Sequence, residues 1–355
     1  MNSELLNILK TNNKIFFISG KKSFYESGAF KIFKKNIKNN IYFKKNKYPD
    51  FVELKRIIKI VENFKPRMII GIGGGCVIDY AKLCSCIDNK EISKIGDKDL
   101  ILKNKYKVIA IPTTAGSGAE VTPNAVLYKK KINLSIHSKE LKPKKIFYIP
   151  KLLFKLENIA KTSSAFDAIC QSIEAILSKK STKISDKFAF KSLKIIKKNI
   201  MKYFETPNFN NCMLMLKGAN YSGRAISISE TTAAHACSYP FTSYYNIPHG
   251  HAVMMLTKEF LKYNYSFSDK NHKIKLKYQK IFKALNIKNI LQLMNFIDNI
   301  KKLSKFKYNI KKNKISFNKI IKGINYRRLQ NNPVKINRKD LIKIIKTSVN
   351  ELPKN

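Results

Sequence analysis

The sequence predicts two unlike halves. An α/β domain on a parallel, Rossmann-like sheet occupies residues 1–155, and an all-α domain occupies residues 156–355. Three observations carry this reading. Short apolar runs alternate with helix-like stretches through the first 150 residues, which implies a parallel sheet covered by helices. A run of glycines stands at one strand-to-helix turn. Beyond Pro150 the apolar spacing becomes almost wholly helical.

In chain order, Lys14–Ser19 reads as a first strand, Ile41-Tyr-Phe43 as a short second, Met68–Ile72 as a third and Val108–Ile111 as a fourth. Helical patterns lie between them, as in Phe51–Phe64. Pro143 and Pro150 bracket a short extended piece, Lys145–Ile149. Residues 301–319, rich in Lys, Asn and Ile, read as a variable loop and helix. No internal repeat is present.

The most informative stretch is Gly71-Ile-Gly-Gly-Gly-Cys-Val-Ile-Asp79-Tyr-Ala-Lys82. Three consecutive glycines at a strand-to-helix turn let backbone approach an anion, and the helix N-terminus points free N–H groups at it. That is chemistry for a pyrophosphate, so the first half is expected to bind a dinucleotide. The spacing is neither G-x-G-x-x-G nor the Walker loop.

Composition narrows the class. The 355 residues, 44% hydrophobic, suffice for two sizeable cores. No signal peptide and no uncharged apolar run of about 18 residues is visible, so a cytoplasmic protein without a membrane span is expected. The six cysteines form no C-x-x-C pair, which fits a reduced compartment. Seventy Lys+Arg against 23 Asp+Glu give a formal net charge of +47. These lysines spread along the whole chain among Asn and Ile and form no nucleic-acid motif, so no dedicated nucleic-acid partner is expected.

A second constellation lies downstream. Ala165–Leu177 has helical periodicity with an apolar side, and Asp167 and Gln171, at i and i+4, project from one face. Three of the five histidines, His235, His249 and His251, fall within 17 positions. One Asp and two well-separated His make a two-His-one-carboxylate face with open positions, which suits Fe(II).

These constellations, in this order, resemble the iron-containing (group III) alcohol dehydrogenase family over nearly the whole chain. Gly73-Gly-Gly-Cys76-Val-Ile-Asp79-Tyr-Ala-Lys82 is similar to its pyrophosphate loop, with Cys76 where Ser is usual. Pro112-Thr113-Thr114-Ala-Gly-Ser117-Gly-Ala-Glu120 is similar to its second cofactor loop. Asp167, His235 and Pro248-His249-Gly250 match three metal-ligand positions, and Asn331-Asn-Pro333 resembles its C-terminal signature. Two departures stand out: Gln171 replaces the usual second-ligand His, and Tyr239 replaces a His four residues after His235. Both resemble the phosphonoacetaldehyde reductase (hydroxyethylphosphonate dehydrogenase) branch.

The resemblance implies the dehydroquinate synthase-like/iron alcohol dehydrogenase fold and a metal in the cleft, Fe(II) or alternatively Zn(II), on Asp167, Gln171, His235 and His249. It implies NADPH or NADH along Gly20, Lys21, Gly73, Gly74, Gly75, Cys76, Asp79, Thr113, Thr114, Ser117 and Lys131. Gly20 stands where NAD-preferring relatives carry Asp, and Lys21 follows it, which favours use of NADPH. Tyr239 and His251 are the expected catalytic residues, with Tyr239 placed to relay a proton to the nascent alkoxide. Arg224, Thr231 and Thr232 are expected to hold a small, anionic aldehyde, with a homodimer as the assembly. A generic alcohol dehydrogenase and a metal- and NAD-dependent cyclase or lyase of the dehydroquinate synthase type are the rival readings.

Overall fold

A five-stranded parallel sheet, ordered β2-β1-β3-β4-β7, organises the first half of the computed structural model, which describes residues 2–38, 40–97, 100–308 and 315–351. Its strands are β1 (Ile15–Gly20), β2 (Ile41–Lys44), β3 (Met68–Gly73), β4 (Lys107–Pro112) and β7 (Lys145–Ile146). β1 and β3 are apolar almost throughout, as a sheet covered on both faces requires. Ile15, Phe17, Ile70, Ile72, Ile109 and Ile111 face one core. Their neighbours Phe16, Ile18, Ile69 and Val108 face a second. Helices α1 (Ser3–Thr11), α2 (Lys21–Glu26), α3 (Ala29–Phe33), α4 (Phe51–Phe64) and α5 (Gly75–Cys86) cover the sheet. The predicted helix 51–64 starts where Asp50 accepts hydrogen bonds from Val52 N and Glu53 N, a side-chain N-cap.

The sequence reading missed an antiparallel ribbon, β5 (Asn124–Lys129) and β6 (Ile132–His137). Its two-residue turn, Lys130–Lys131, has positive φ at both positions, 51° and 66°. Such turns normally announce themselves with Asn or Gly; two lysines give no signal. Of the extended piece 145–149, only Lys145 and Ile146 pair with the sheet.

From Asn158 onward the chain is helical: α6 (Asn158–Leu177), α7 (Lys183–Glu205), α8 (Phe209–Ser229), α9 (Ala233–Tyr245), α10 (His249–Tyr265), α11 (His272–Leu285), α12 (Ile290–Lys301), α13 (Phe317–Lys322), α14 (Tyr326–Leu329) and α15 (Arg338–Asn350). Of the loop-and-helix region 301–319, residues 309–314 lie outside the described residues. Every residue of α6 from Ala165 to Leu177 is buried, so this helix is the axis of the second half. One sheet face and the helices share a single apolar cluster. Among the described residues no helix is long and apolar enough to cross a membrane.

Some of the excess lysines have structural work. Lys277 Nζ donates to the carbonyls of Ile176 (2.9 Å) and Ser178 (2.7 Å), at the C-terminal end of α6. Lys197 Nζ does the same for Leu285 at the end of α11. A cation there satisfies orphan carbonyls and complements the negative end of the helix dipole.

Two glycine contacts fix how the elements meet. A Cβ on Gly250 would lie 1.8 Å from Ser163 O and 3.1 Å from Asp167 N, so only glycine lets α10 begin against α6. Gly118, at φ +61°, faces Gly223 of α8, and a Cβ on Gly118 would come 2.5 Å from the Gly223 Cα. Gly250→Ala is expected to force α10 off α6 and destabilise the fold by ~3 kcal/mol, the upper end of ordinary overpacking costs. Chemical denaturation measures it; an unchanged midpoint would contradict the packing described.

Candidate metal and cofactor site

Three helices deliver three ligand groups to one point. Asp167 comes from α6, His235 from α9 and His249 from the first turn of α10, and their ligand atoms all lie within 4.8 Å of one another. Asp167 Oδ1 is 3.1 Å from His235 Nε2 and 3.9 Å from His249 Nε2. Alanines at 233, 234 and 236 keep α9 slim around His235, and all three are buried.

The charges are arranged around His235. Glu174, which sequence reasoning passed over, hydrogen-bonds His235 Nδ1 and also accepts from Thr232 Oγ1 (2.8 Å) and Ala234 N (2.9 Å). It sits seven residues after Asp167 on the same helix face, and that spacing was the available signal. Burial alone would lower the His235 pKa, but the flanking Glu174 and Asp167 carboxylates outweigh it and hold the ring up at about 9. Burial would raise Asp167; the His235 hydrogen bond and the two imidazoles outweigh that and hold its carboxyl below the usual range. Burial pushes His249 down to about 4.

This donor set fits a divalent cation. One carboxylate and two imidazoles converge, and the far nitrogen of His235 is held by Glu174, as metal-bound histidines require. With His235 deprotonated, Asp167 and Glu174 leave two negative charges to be matched. Metal uptake therefore competes with the His235 proton and is favoured as pH rises towards about 9. Gln171 adjoins the cluster, with Nε2 donating to Asp167 Oδ1 (3.1 Å) and Oε1 accepting from Ser222 Oγ (2.9 Å). A half-turn of the amide presents Oε1 to the cluster instead. Nε2 then donates to Ser222 Oγ, whose proton goes to Ala168 O at 3.1 Å. Gln171 thus fits as a fourth, neutral oxygen ligand.

The glycine turn is built for close approach. Gly74 is the N-cap of α5 and supplies no side-chain cap, leaving the first N–H groups of the helix for an anion. A Cβ on Gly73 would meet Val77 at 2.5 Å, and one on Gly75 would meet Ser117 Oγ at 2.6 Å. The Thr113–Gly118 loop therefore packs directly on the turn. Thr113 Oγ1 is buried without a partner, an orphan hydroxyl beside a helix N-terminus. Those features fit a pyrophosphate. The same loop reaches the Asp167 cluster through Gln171, whose Nε2 lies 3.5 Å from Ser117 O and donates to Asp167 Oδ1. Turn, loop, Gln171 and Asp167 thus form one continuous chain of contacts.

Other predicted residues are placed differently. Gly20 closes β1 in register with Lys44, and exposed Lys21 opens α2. Cys76 lies in the first turn of α5, where burial pushes its thiol up to about 12, so it stays protonated. The Asp79 carboxylate accepts from Val126 N (3.1 Å) and faces Lys82 (3.5 Å), tying the ribbon to α5. Lys131 is at the ribbon tip, over the Tyr244 ring. Tyr239 is buried and stacks on His249, with ring centroids 5.5 Å apart and 12° between planes.

Four predicted residues are engaged with protein partners. His251 turns away from the cluster, packing on Phe166 and Phe306 and hydrogen-bonding Thr162 and Ser304 through Nε2, as a core histidine. Arg224 is exposed and stacks on Phe188, roughly opposite Ser222 on α8. Thr232 is spent on Glu174, and Thr231 accepts from Arg328 Nη1 at 2.6 Å. Arg328, also unforeseen, lies among unremarkable basic residues and gives no sequence signal.

The match to known proteins agrees with this geometry. The model described as "Iron-containing alcohol dehydrogenase" matches residues 2–150, and "Fe-containing alcohol dehydrogenase family, C-terminal" matches residues 161–349. The chain belongs to the iron-containing alcohol dehydrogenase family. Its relatives include the phosphonoacetaldehyde reductase of Streptomyces viridochromogenes, 30% identical over 209 residues, which are 56% of this chain and 53% of that one. The 4-hydroxybutyrate dehydrogenase of Clostridium kluyveri is 31% identical over 228 residues, 62% of this chain and 61% of that one. The matches thus span between half and two thirds of these relatives' lengths. In fold, the chain is similar to the iron-containing alcohol dehydrogenase of Thermotoga maritima, with TM-score 0.81 at 24% identity, covering 97% of this chain and 94% of that one. It is likewise similar to the sulfoacetaldehyde reductase of Bifidobacterium kashiwanohense solved with NAD+, with TM-score 0.82 at 22% identity, covering 98% and 94%.

Glu174→Gln removes the charge behind His235 while keeping an acceptor. Metal affinity is expected to fall ~10- to 100-fold, the usual worth of such outer partners. Calorimetric titration of the metal-stripped protein with Fe(II) or Zn(II) reads this, and unchanged affinity would remove Glu174 from the site.

Proposed function

We propose that this chain is a metal-dependent, NAD(P)H-linked reductase of a small anionic aldehyde, with phosphonoacetaldehyde, reduced to 2-hydroxyethylphosphonate, the foremost substrate. The observation that carries the reading is the contact of the Thr113–Gly118 loop with both the glycine turn and Gln171, which sets a dinucleotide cradle beside a metal-ligand cluster. The substrate class draws support from two relatives, whose names denote small molecules that carry a phosphonate or a carboxylate besides the reacting carbon.

When bound, the metal supplies Lewis-acid polarisation of the carbonyl and the nicotinamide supplies hydride. The chain's own residues do the rest. Asp167, Gln171, His235 and His249 hold the metal, and Glu174 fixes the orientation of His235. The N-terminus of α5, with Thr113, Thr114 and Ser117, holds the pyrophosphate. Tyr239 lies flat on His249, and burial raises its pKa, so its hydroxyl keeps a proton for the oxygen of the nascent alcohol. Lys21, and Lys44 across from Gly20, favour the 2′-phosphate of NADPH; Lys22 is already paired with Glu157.

A panel of aldehydes followed by nicotinamide absorbance, with and without added Fe(II) or Zn(II), tests the reading. Phosphonoacetaldehyde is expected to exceed butanal at least ~10-fold in kcat/KM, about 1.4 kcal/mol of discrimination. NADPH is expected to serve at least as well as NADH. Asp167→Ala and His249→Ala are expected to stay folded, lose the metal and lose more than ~100-fold in turnover, beyond the effect of an outer-shell change. Full activity without metal would overturn the mechanism. Equal use of butanal would leave a generic alcohol dehydrogenase. Bound cofactor with no net turnover of it would favour a cyclase or lyase.

A further inference from the structure

Arg328 is a buried guanidinium without a counter-ion. It is 8% exposed, and its hydrogen bonds go to two neutral hydroxyls, Thr231 Oγ1 at 2.6 Å and Ser135 Oγ at 2.9 Å. Among the described residues it forms no ion pair. Glu230, the carboxylate that feels its field, is already engaged by Lys180 (2.6 Å) and Arg327 (3.2 Å). Arginine does not shed its proton, and two hydroxyls use two of its five N–H donors. A buried charge left unpaired is costly, so the position asks for an anion from outside the chain.

The fold puts this cation beside α9, the helix that carries His235. Pro240, inside α9, has no N–H to offer the carbonyl of Ala236. That carbonyl instead accepts from Asn325 N at 3.1 Å, which docks α14 onto α9 one residue past His235. Asn331 secures the other end, donating to Ser229 O (2.8 Å) and Thr231 O (3.0 Å). Arg328 therefore stands between Thr231, four residues before His235, and Ser135 on the ribbon of the first half. A cleft of about 180 Å³ opens beside it, lined also by Asn133, His137, Asn325, Arg327 and Glu230, the carboxylate that Lys180 and Arg327 already hold.

We propose that Arg328 is the specificity residue that receives the anionic end of the aldehyde, pairing with a phosphonate or carboxylate while the carbonyl end lies at Asp167, His235 and His249. The planar fork of its N–H groups matches either anion with two parallel hydrogen bonds. This inference rests on the reductase reading. It assigns to Arg328 the part that the sequence suggested for Arg224.

The test compares the wild-type protein with Arg328→Met and Arg328→Lys, each loaded with metal, on phosphonoacetaldehyde and on butanal. Arg328→Met is expected to lower kcat/KM for phosphonoacetaldehyde at least ~10-fold while changing butanal less than ~3-fold, with Arg328→Lys between it and wild type. Equal losses on both aldehydes would show a purely structural role and overturn the proposal. Ethylphosphonate, which has the tail but no aldehyde, should inhibit butanal reduction by the wild-type protein competitively. Absent or non-competitive inhibition would also overturn it, even if Arg328→Met failed to fold. If the wild-type protein reduces neither aldehyde, the reductase reading fails. Ethylphosphonate should then still raise the melting temperature of wild type, and raise that of Arg328→Lys less; no rise in wild type would sink the Arg328 assignment too.

Discussion

Asp167 is a carboxylate at 5% exposure where three helices meet, and a buried negative charge tolerates only a tightly defined set of neighbours. The fold supplies them. His235 approaches from α9, His249 from α10, and Gln171 from the next turn of the same helix. Glu174, one turn further on, engages the opposite nitrogen of His235, so the imidazole is gripped between two carboxylates. Removing a partner from such a set typically costs 3–5 kcal/mol, because an uncompensated charge stays behind. The network therefore constrains the helix packing as much as the packing constrains the network.

Backbone contacts do the positioning. Gly250 sets the start of α10 on α6, which brings His249 to Asp167. Gly73 and Gly75 let the first turn of α5 close onto Val77 and Ser117, and the Gly118–Gly223 contact wedges the loop against α8, next to Ser222. Each position forbids a side chain, so the spacing between turn, loop and cluster is set by main chain rather than by adaptable side chains. The proposed hydride transfer depends on such placement, since reacting groups must be held in a near-attack geometry. Pro240 works the opposite way: a missing donor inside α9 leaves a carbonyl that a remote segment fills.

Much of this was legible in the residues. Apolar alternation marked the four principal strands to within a residue or two, since strands buried on both faces must be almost continuously apolar. The glycine turn and the helical i, i+4 placement of Asp167 and Gln171 pointed to the site because they reflect local geometry. What the sequence hid was non-local or lacked local chemistry. The Lys130–Lys131 turn carries none of the usual turn residues. His251, two positions from His249, looked equivalent, but two steps along a helix rotate a side chain about 200° to the other face. The same rotation separates Arg224 from Ser222. Arg328 lies 93 positions beyond His235 and is brought beside α9 by long-range bonds, among them Asn325 N to the carbonyl that Pro240 frees.

The charge of +47 has a structural side, seen where Lys277 and Lys197 close helix ends. The site itself is best tested by locating the metal. Crystals grown anaerobically with Fe(II) and measured at the iron absorption edge should give one strong anomalous peak. It should lie about 2.0–2.2 Å from His235 Nε2, His249 Nε2, an Asp167 oxygen and Gln171 Oε1. An iron peak elsewhere, with none at the three-helix junction, would contradict the assignment.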